Sequence, residues 1–144
     1  MYKRILLPTD GSEASRRAVA AAIDFAKDAG AELVAMTATP ALHIFAGDAG
    51  MLDAPDEPDD TANAQAHHVL DEVAALARGA GVPCTCVQHA SDHPHEAIIA
   101  TARDHQCDLI VMASHGNKGL KGLLLGSETH KVLVHSAIPV LVLR

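Results

Sequence analysis

Between an apolar run, Leu109-Ile-Val-Met112, and Ser127 the chain carries four glycines, at 116, 119, 122 and 126. Glycine lets a backbone approach a ligand closely and take positive φ. A serine at a helix start stands beside free N–H groups at the positive end of a dipole. Strand, glycine-rich loop and helix N-terminus together suit the holding of phosphates, and so point to a nucleotide. Gly126 and Ser127 sit where the helix begins, while Gly119 and Gly122 read as loop suppleness. Lys118 and Lys121 are placed either to neutralise phosphate charge or simply to be solvated. His115 and His130 flank the loop and are the groups there that could move a proton near neutral pH. No second acid, paired carboxylate or nucleophile–base arrangement is visible beside them, so hydrogen bonding is their plainer role.

Other chemistry-bearing residues are scattered. Cys84-x-Cys86 and ten histidines raise the question of a metal. Alternation along a strand puts residues 84 and 86 on one face and His89 on the other. His93 and His95 lack the i, i+4 spacing that shares a ligand on a helix. The ligand set of a structural zinc is not assembled, and no metal centre is expected. Cys107, before an apolar run, reads as a small packed hydrophobe. Asp53, Asp56, Glu57, Asp59 and Asp60 form a proline-broken acidic run, read as a solvated loop ahead of a helix.

These residues need a scaffold, which the hydrophobic pattern supplies. Arg4-Ile-Leu-Leu-Pro8 reads as a short buried strand, followed by the turn Thr9-Asp-Gly-Ser12 with Ser12 as helix cap. An alanine-rich helix spans Glu13 to Ala29, and Gly30 caps its end. A second strand covers Glu32 to Thr37, and residues 40–58 read as irregular. Ala62, Ala66, Val69, Val73 and Leu76 mark one face of a second helix, ended by Gly79 and Gly81. A third strand runs from Val82 to His89. A third helix opens at Asp92-His-Pro94, with Ile98, Ile99 and Ala102 as its apolar face. A fourth strand from Asp108 to Met112, a helix from Glu128 to Ser136 and a strand from Ile138 to Leu143 complete the chain.

Strands alternating with helices predict a parallel, doubly wound α/β sheet. Pro139 cannot donate to a ladder, so the last strand lies at an edge or starts there. Ligands of such sheets bind beyond the carboxyl ends of the strands, near the switch in strand order. The first strand ends at Thr9-Asp10 and the fourth at Ala113. If these strands are neighbours, Asp10 and the glycine loop border one crevice. Asp10 also suits a plainer role, steadying its own turn or the first helix.

The 144 residues suit one domain, 1–144, with a core of Ala, Val, Leu and Ile, since the aromatics number three. A net charge of −7 without a basic run argues against nucleic acid as partner. No apolar run approaches the about 20 residues of a membrane span. The N-terminus runs directly into a strand rather than a signal peptide. Three cysteines suit a reducing cytosol better than a disulfide framework.

The segments Ile5-Leu-Leu-Pro-Thr-Asp-Gly-Ser12, Asp108-Leu-Ile-Val-Met-Ala-Ser-His-Gly116, Gly126-Ser-Glu-Thr129 and Ile138-Pro-Val-Leu-Val142 resemble the universal stress protein family over essentially the whole chain. Its ATP-binding branch carries Gly-x2-Gly-x9-Gly-[Ser/Thr]. Here Gly116, Gly126 and Ser127 fill the later positions, and Ala113 replaces the first glycine. The resemblance implies a five-stranded, Rossmann-like (adenine nucleotide α-hydrolase-like) sheet with four helices and strand order 3-2-1-4-5. It implies ATP, with Mg2+, as ligand. Asp10 falls on the ribose or adenine side, Pro8 and Thr9 line the base pocket, and Ala38 offers backbone groups to the base. Ala113 lies by the ribose, and His115, Gly116, Gly126, Ser127, Glu128 and Thr129 surround the phosphates. It further implies a homodimer through Val140–Leu143 and a cytoplasmic, nucleotide-dependent stress-response switch. Two alternatives stay open: a slow ATPase or phosphotransferase using the same site, and an interaction module without nucleotide.

Overall fold

Continuous apolar runs mark strands buried on both faces. Two such runs, β1 (Arg4–Pro8) and β4 (Leu109–Ala113), lie side by side in the middle of the sheet. Ile5, Leu6, Leu7, Ile110 and Val111 expose no surface. The computed structural model describes residues 1–41, 58–114 and 125–144. Its other elements are α1 (Glu13–Ala29), β2 (Glu32–Thr39), α2 (Pro58–Ala80), β3 (Cys84–Ala90), α3 (Pro94–Asp104), α4 (Ser127–His135) and β5 (Val140–Leu143). All neighbouring strands are parallel, in the order β3-β2-β1-β4-β5. The expected doubly wound sheet is present, with Pro139 just ahead of edge strand β5.

Alternation along the central strands divides the core into two layers. Ile5, Leu7, Leu33 and Ala35 pack with α1 and α2 residues such as Val19, Ile23, Leu70 and Val73. Leu6, Val34 and Met36 pack with Ala97, Ile98 and Val132 of α3 and α4. The near absence of aromatics is thus met by small and branched aliphatics on both faces.

Several element ends differ from the sequence reading. β2 continues past Thr37 because its pairing with β3 extends to Thr39↔Ala90. α2 starts at Pro58, where the missing N–H costs nothing in the first helical turn. Val82 is not in β3: its N–H donates to the Ala77 carbonyl at 2.9 Å and closes α2 beyond Gly81. Gly79 lies inside that helix. The buried stripe of α2 is Ala66, Val69, Leu70, Val73 and Ala77, so Leu76, one position off the stripe, is 57% exposed. In α3 the buried face is Ala97, Ile98, Thr101 and Ala102, while Ile99 is half-buried.

The turn after β1 forms as its residues require. Ser12 caps α1 by accepting from the Ser15 N–H at 3.2 Å. Gly11 takes φ +77°, and a Cβ built there would stand 2.7 Å from Val69 Cγ2 of α2. Glycine is required here both for its backbone and for the approach of α2. Gly11→Ala should destabilise the protein by about 1–3 kcal/mol, from strain plus overpacking. Urea unfolding of the wild type, Gly11→Ala and the Gly11→Ala/Val69→Ala pair measures this. The double variant should regain the overpacking part and keep the backbone part.

Candidate functional site

β1 and β4 pair through Ile5↔Leu109 and Leu6↔Ile110, towards the start of both strands, and their register extends no further towards the carboxyl ends. This is the switch in strand order, because β1 passes its chain to β2 on one side and β4 to β5 on the other. Asp10 and Ser114 follow the two strand ends.

At the β1 end, the Thr9 hydroxyl is buried against the Ser15 hydroxyl, and the Thr9 N–H donates to the Met36 carbonyl at 2.9 Å. The Asp10 carboxylate accepts from the Ser12 N–H at 2.9 Å, which fixes the turn. It also lines a cavity of about 200 Å³ with Thr37, Ala38, Thr39, Pro40, Ala62, Gln65, Ala66 and Val69. The turn-steadying role and the cavity-lining role of Asp10 therefore coexist. Ligand pockets usually measure about 300–1,000 Å³, so this one suits a fragment such as a ring rather than a whole nucleotide. Of the ligand-site residues expected from the sequence, the cavity brings together Asp10 and Ala38. Pro8 and Thr9 stand at the strand end outside its lining, and the Thr9 hydroxyl is taken up by Ser15.

At the β4 end the chain leaves through Ser114 and returns at Gly126. The Gly126 N–H donates to the Ser114 carbonyl at 2.7 Å, and the Ser114 N–H to the Leu143 carbonyl at 2.8 Å. Thr129 is buried, and its hydroxyl donates to the Ala113 carbonyl at 3.0 Å. The first turn of α4 is thereby tied to the last residues of β4. Gly126 is the N-cap of α4 and makes no side-chain cap bond, so Ser127 is the first helical residue. The His130 N–H makes the helical bond to the Gly126 carbonyl at 2.9 Å. The N–H groups of Ser127, Glu128 and Thr129 precede that bond, as the first N–H groups of any helix do. A second cavity of about 200 Å³ flanks Ser114 with Arg17 and Arg144, two cationic groups in an acidic chain. His115, Gly116, Lys118, Gly119, Lys121 and Gly122, and the acidic residues from Asp53 to Glu57, lie outside the described residues. His130 is exposed on α4.

The Glu128 side chain turns to α3 rather than to the loop. Its Oε2 accepts from the His95 N–H at 2.8 Å and lies 3.1 Å from His95 Nδ1, and Lys131 reaches Oε1 at 3.3 Å. α3 has no cap bond from its own N-cap, His93, so Glu128 supplies one from α4. Burial pushes the Glu128 carboxyl up, but the hydrogen bonds from His95 and Lys131 outweigh it and hold the group below its ordinary 4.5.

Cys84 and Cys86 sit on the α2 face of β3. The Cys86 thiol points to the Leu70 carbonyl at 3.6 Å, while His89 meets Thr101 on the other face, so the three do not converge. Burial pushes the Cys84 thiol up to about 11. Among the described residues no cluster of His, Cys, Asp or Glu could hold a metal ion, and no helix is long and apolar enough to cross a membrane. Sequence reasoning missed Thr37, Thr39 and Gln65. Alternation of threonines at the end of β2 was the available signal for the first two, and α2 register for the third.

A model of the universal stress protein family matches residues 1–144. The chain is 31% identical to universal stress protein YxiE of Bacillus subtilis over 149 aligned residues, which cover 100% of both chains. Its fold matches the structure of MJ0577 of Methanocaldococcus jannaschii with a TM-score of 0.82 at 27% identity, covering 99% of this chain and 96% of the other. A universal stress protein solved in complex with cAMP matches with a TM-score of 0.73 at 26% identity, covering 99% and 97%.

Removing the cap that α4 lends to α3 should cost about 0.5–2 kcal/mol at neutral pH in Glu128→Ala. Because the folded carboxyl is held below 4.5, its contribution is complete above that value and fades as pH falls through the depressed one. Denaturation midpoints of wild type and variant should therefore converge in acid. A gap that persists at low pH would contradict the assignment.

Proposed function

The chain belongs to the universal stress protein family, and we propose that it binds ATP with Mg2+ at the β1/β4 switch and acts as a nucleotide-dependent stress-response switch in the cytosol. The observation that carries this is a convergence. A ring-sized cavity bordered by Asp10 lies on one side of the switch, and the open first turn of α4, tied to Ser114, on the other. The complex of a related protein with cAMP supports an adenine nucleotide as the ligand class. In this reading the base enters the Asp10–Ala38 cavity, with Pro8 and Thr9 shaping the strand end beside it. The ribose passes Ala113, and the phosphates lie against Gly126, Ser127 and the N–H groups of Glu128 and Thr129, with His115 and Gly116 completing the loop. Mg2+ arrives with the phosphates and keeps several waters, as it commonly does. Arg17 and Arg144 beside Ser114 add positive potential near that end.

The same reading makes the protein a homodimer through Val140–Leu143. β5 is an edge strand, a template for pairing unless covered. Leu141 on it is 37% exposed, and Leu133 and Val134 of α4 are exposed as well.

Calorimetry of ligand-free, folded protein with ATP and Mg2+ should show binding, and Ser127→Ala should weaken it about threefold to tenfold by removing one hydroxyl contact. Absence of heat up to millimolar nucleotide overturns the proposal. Leu141→Lys should shift the protein from dimer to monomer in light scattering behind size exclusion, and an unchanged mass would remove β5 from the interface.

A further inference from the structure

Five threonines in the described residues are buried: Thr9, Thr37, Thr39, Thr101 and Thr129. Three have hydroxyl partners, in Ser15, His89 and the Ala113 carbonyl. Thr37 and Thr39 are each 7% exposed; their hydroxyls meet no hydrogen-bond partner among the described residues, and both residues line the Asp10 cavity. Two positions apart on β2, they share one face, the face on which Leu33 and Ala35 pack with α2 residues. A buried hydroxyl without a partner is costly and rare. Two of them lining one cavity mark a surface made to bond something that enters it.

The opposite wall carries a matching group. Gln65 of α2, an exposed residue, lines the same cavity, and its amide is not taken up by another side chain or backbone group among the described residues. Its neighbour Asn63, by contrast, is engaged by Gln88 of β3. An amide presents one donor beside one acceptor. Adenine presents the complement, an amino donor beside a ring-nitrogen acceptor, whereas the corresponding edge of guanine shows two acceptors. Hydroxyls rotate to serve either kind of atom and suit the remaining ring nitrogens.

We infer that Thr37 and Thr39 on one wall and Gln65 on the other read the polar atoms of the bound base, with Gln65 selecting a ring that carries an amino group beside a ring nitrogen. The inference rests on the nucleotide reading above and adds to it the residues that set base specificity. None of the three belongs to the glycine-loop motif, so base reading and phosphate holding fall to separate parts of the chain.

The test compares ATP with purine riboside triphosphate, which lacks the amino group, each with Mg2+. Wild type should prefer ATP by about fivefold to tenfold, the worth of one hydrogen bond. Gln65→Leu, at an exposed helical position that tolerates leucine, should lower ATP affinity by a similar factor and erase the preference. Thr37→Val should also weaken ATP binding, while the unfolding midpoint of the empty protein holds or rises, because an unpartnered hydroxyl has been removed. A merely structural threonine would lower that midpoint instead. If both variants keep wild-type ATP affinity and Gln65→Leu keeps the preference, the inference falls and nucleotide binding stands. If wild type binds neither nucleotide, the nucleotide reading falls first and takes the inference with it.

Discussion

The pairing of β1 with β4 is the constraint on which the rest of the molecule depends. The two strands are far apart in sequence, and parallel pairing between them carries a loop-closure cost that local contacts cannot offset. Its lower end is locked by one carboxylate: Asp108 accepts from the Lys3 N–H at 2.8 Å and the Arg4 N–H at 3.1 Å. The Arg4 guanidinium adds a bond to the His105 carbonyl at 2.9 Å. Above that lock the strands carry only apolar side chains into both layers of the core, and their register stops short of their upper ends. The crevice is the place where the two directions of winding separate.

Both walls of that crevice are held by small hydroxyl residues rather than by large side chains. Thr9 with Ser15 secures the turn that presents Asp10, and Thr129 secures α4 against the end of β4. Buried hydroxyls are economical for this purpose, since each satisfies a backbone or side-chain group without filling the space a ligand needs. Gly11 extends the same economy, because its missing Cβ lets Val69 bring α2 over the turn and close the cavity from above. Glu128 joins the two helices of the other layer, and it does so from the first turn of α4. A change in position of that turn would therefore be felt at the start of α3, whose cap it supplies.

Much of this was legible in the chain. The runs Ile5-Leu-Leu7 and Leu109-Ile-Val111 are apolar without alternation, so they could only be strands covered on both faces. Ser12 and Gly30 announced the ends of α1 through capping chemistry that is local. The position of Asp10 two residues past β1 pointed to a strand end, where it lines a cavity. Leu76 was misplaced because a helical face is set by what packs on it, and the stripe through Val69, Val73 and Ala77 passes one residue to its side. Val82 looked like strand because it is apolar and branched, but its N–H was needed to close α2.

Periodicity, caps and turn residues act over a few positions of chain, so the set of elements and their alternation were written in the sequence. Two kinds of fact belonged to the tertiary structure alone. One is the turning of Glu128 away from the loop to cap α3, which needs α3 and α4 side by side. The other is that the Thr37 and Thr39 hydroxyls, across the cavity from Gln65, find no partner among the described residues, since a threonine in a strand reads the same whether its hydroxyl is satisfied or not. Whether a buried polar group has a partner depends on which distant backbone and side-chain atoms the fold brings within about 3 Å of it, and no local pattern in the chain records that.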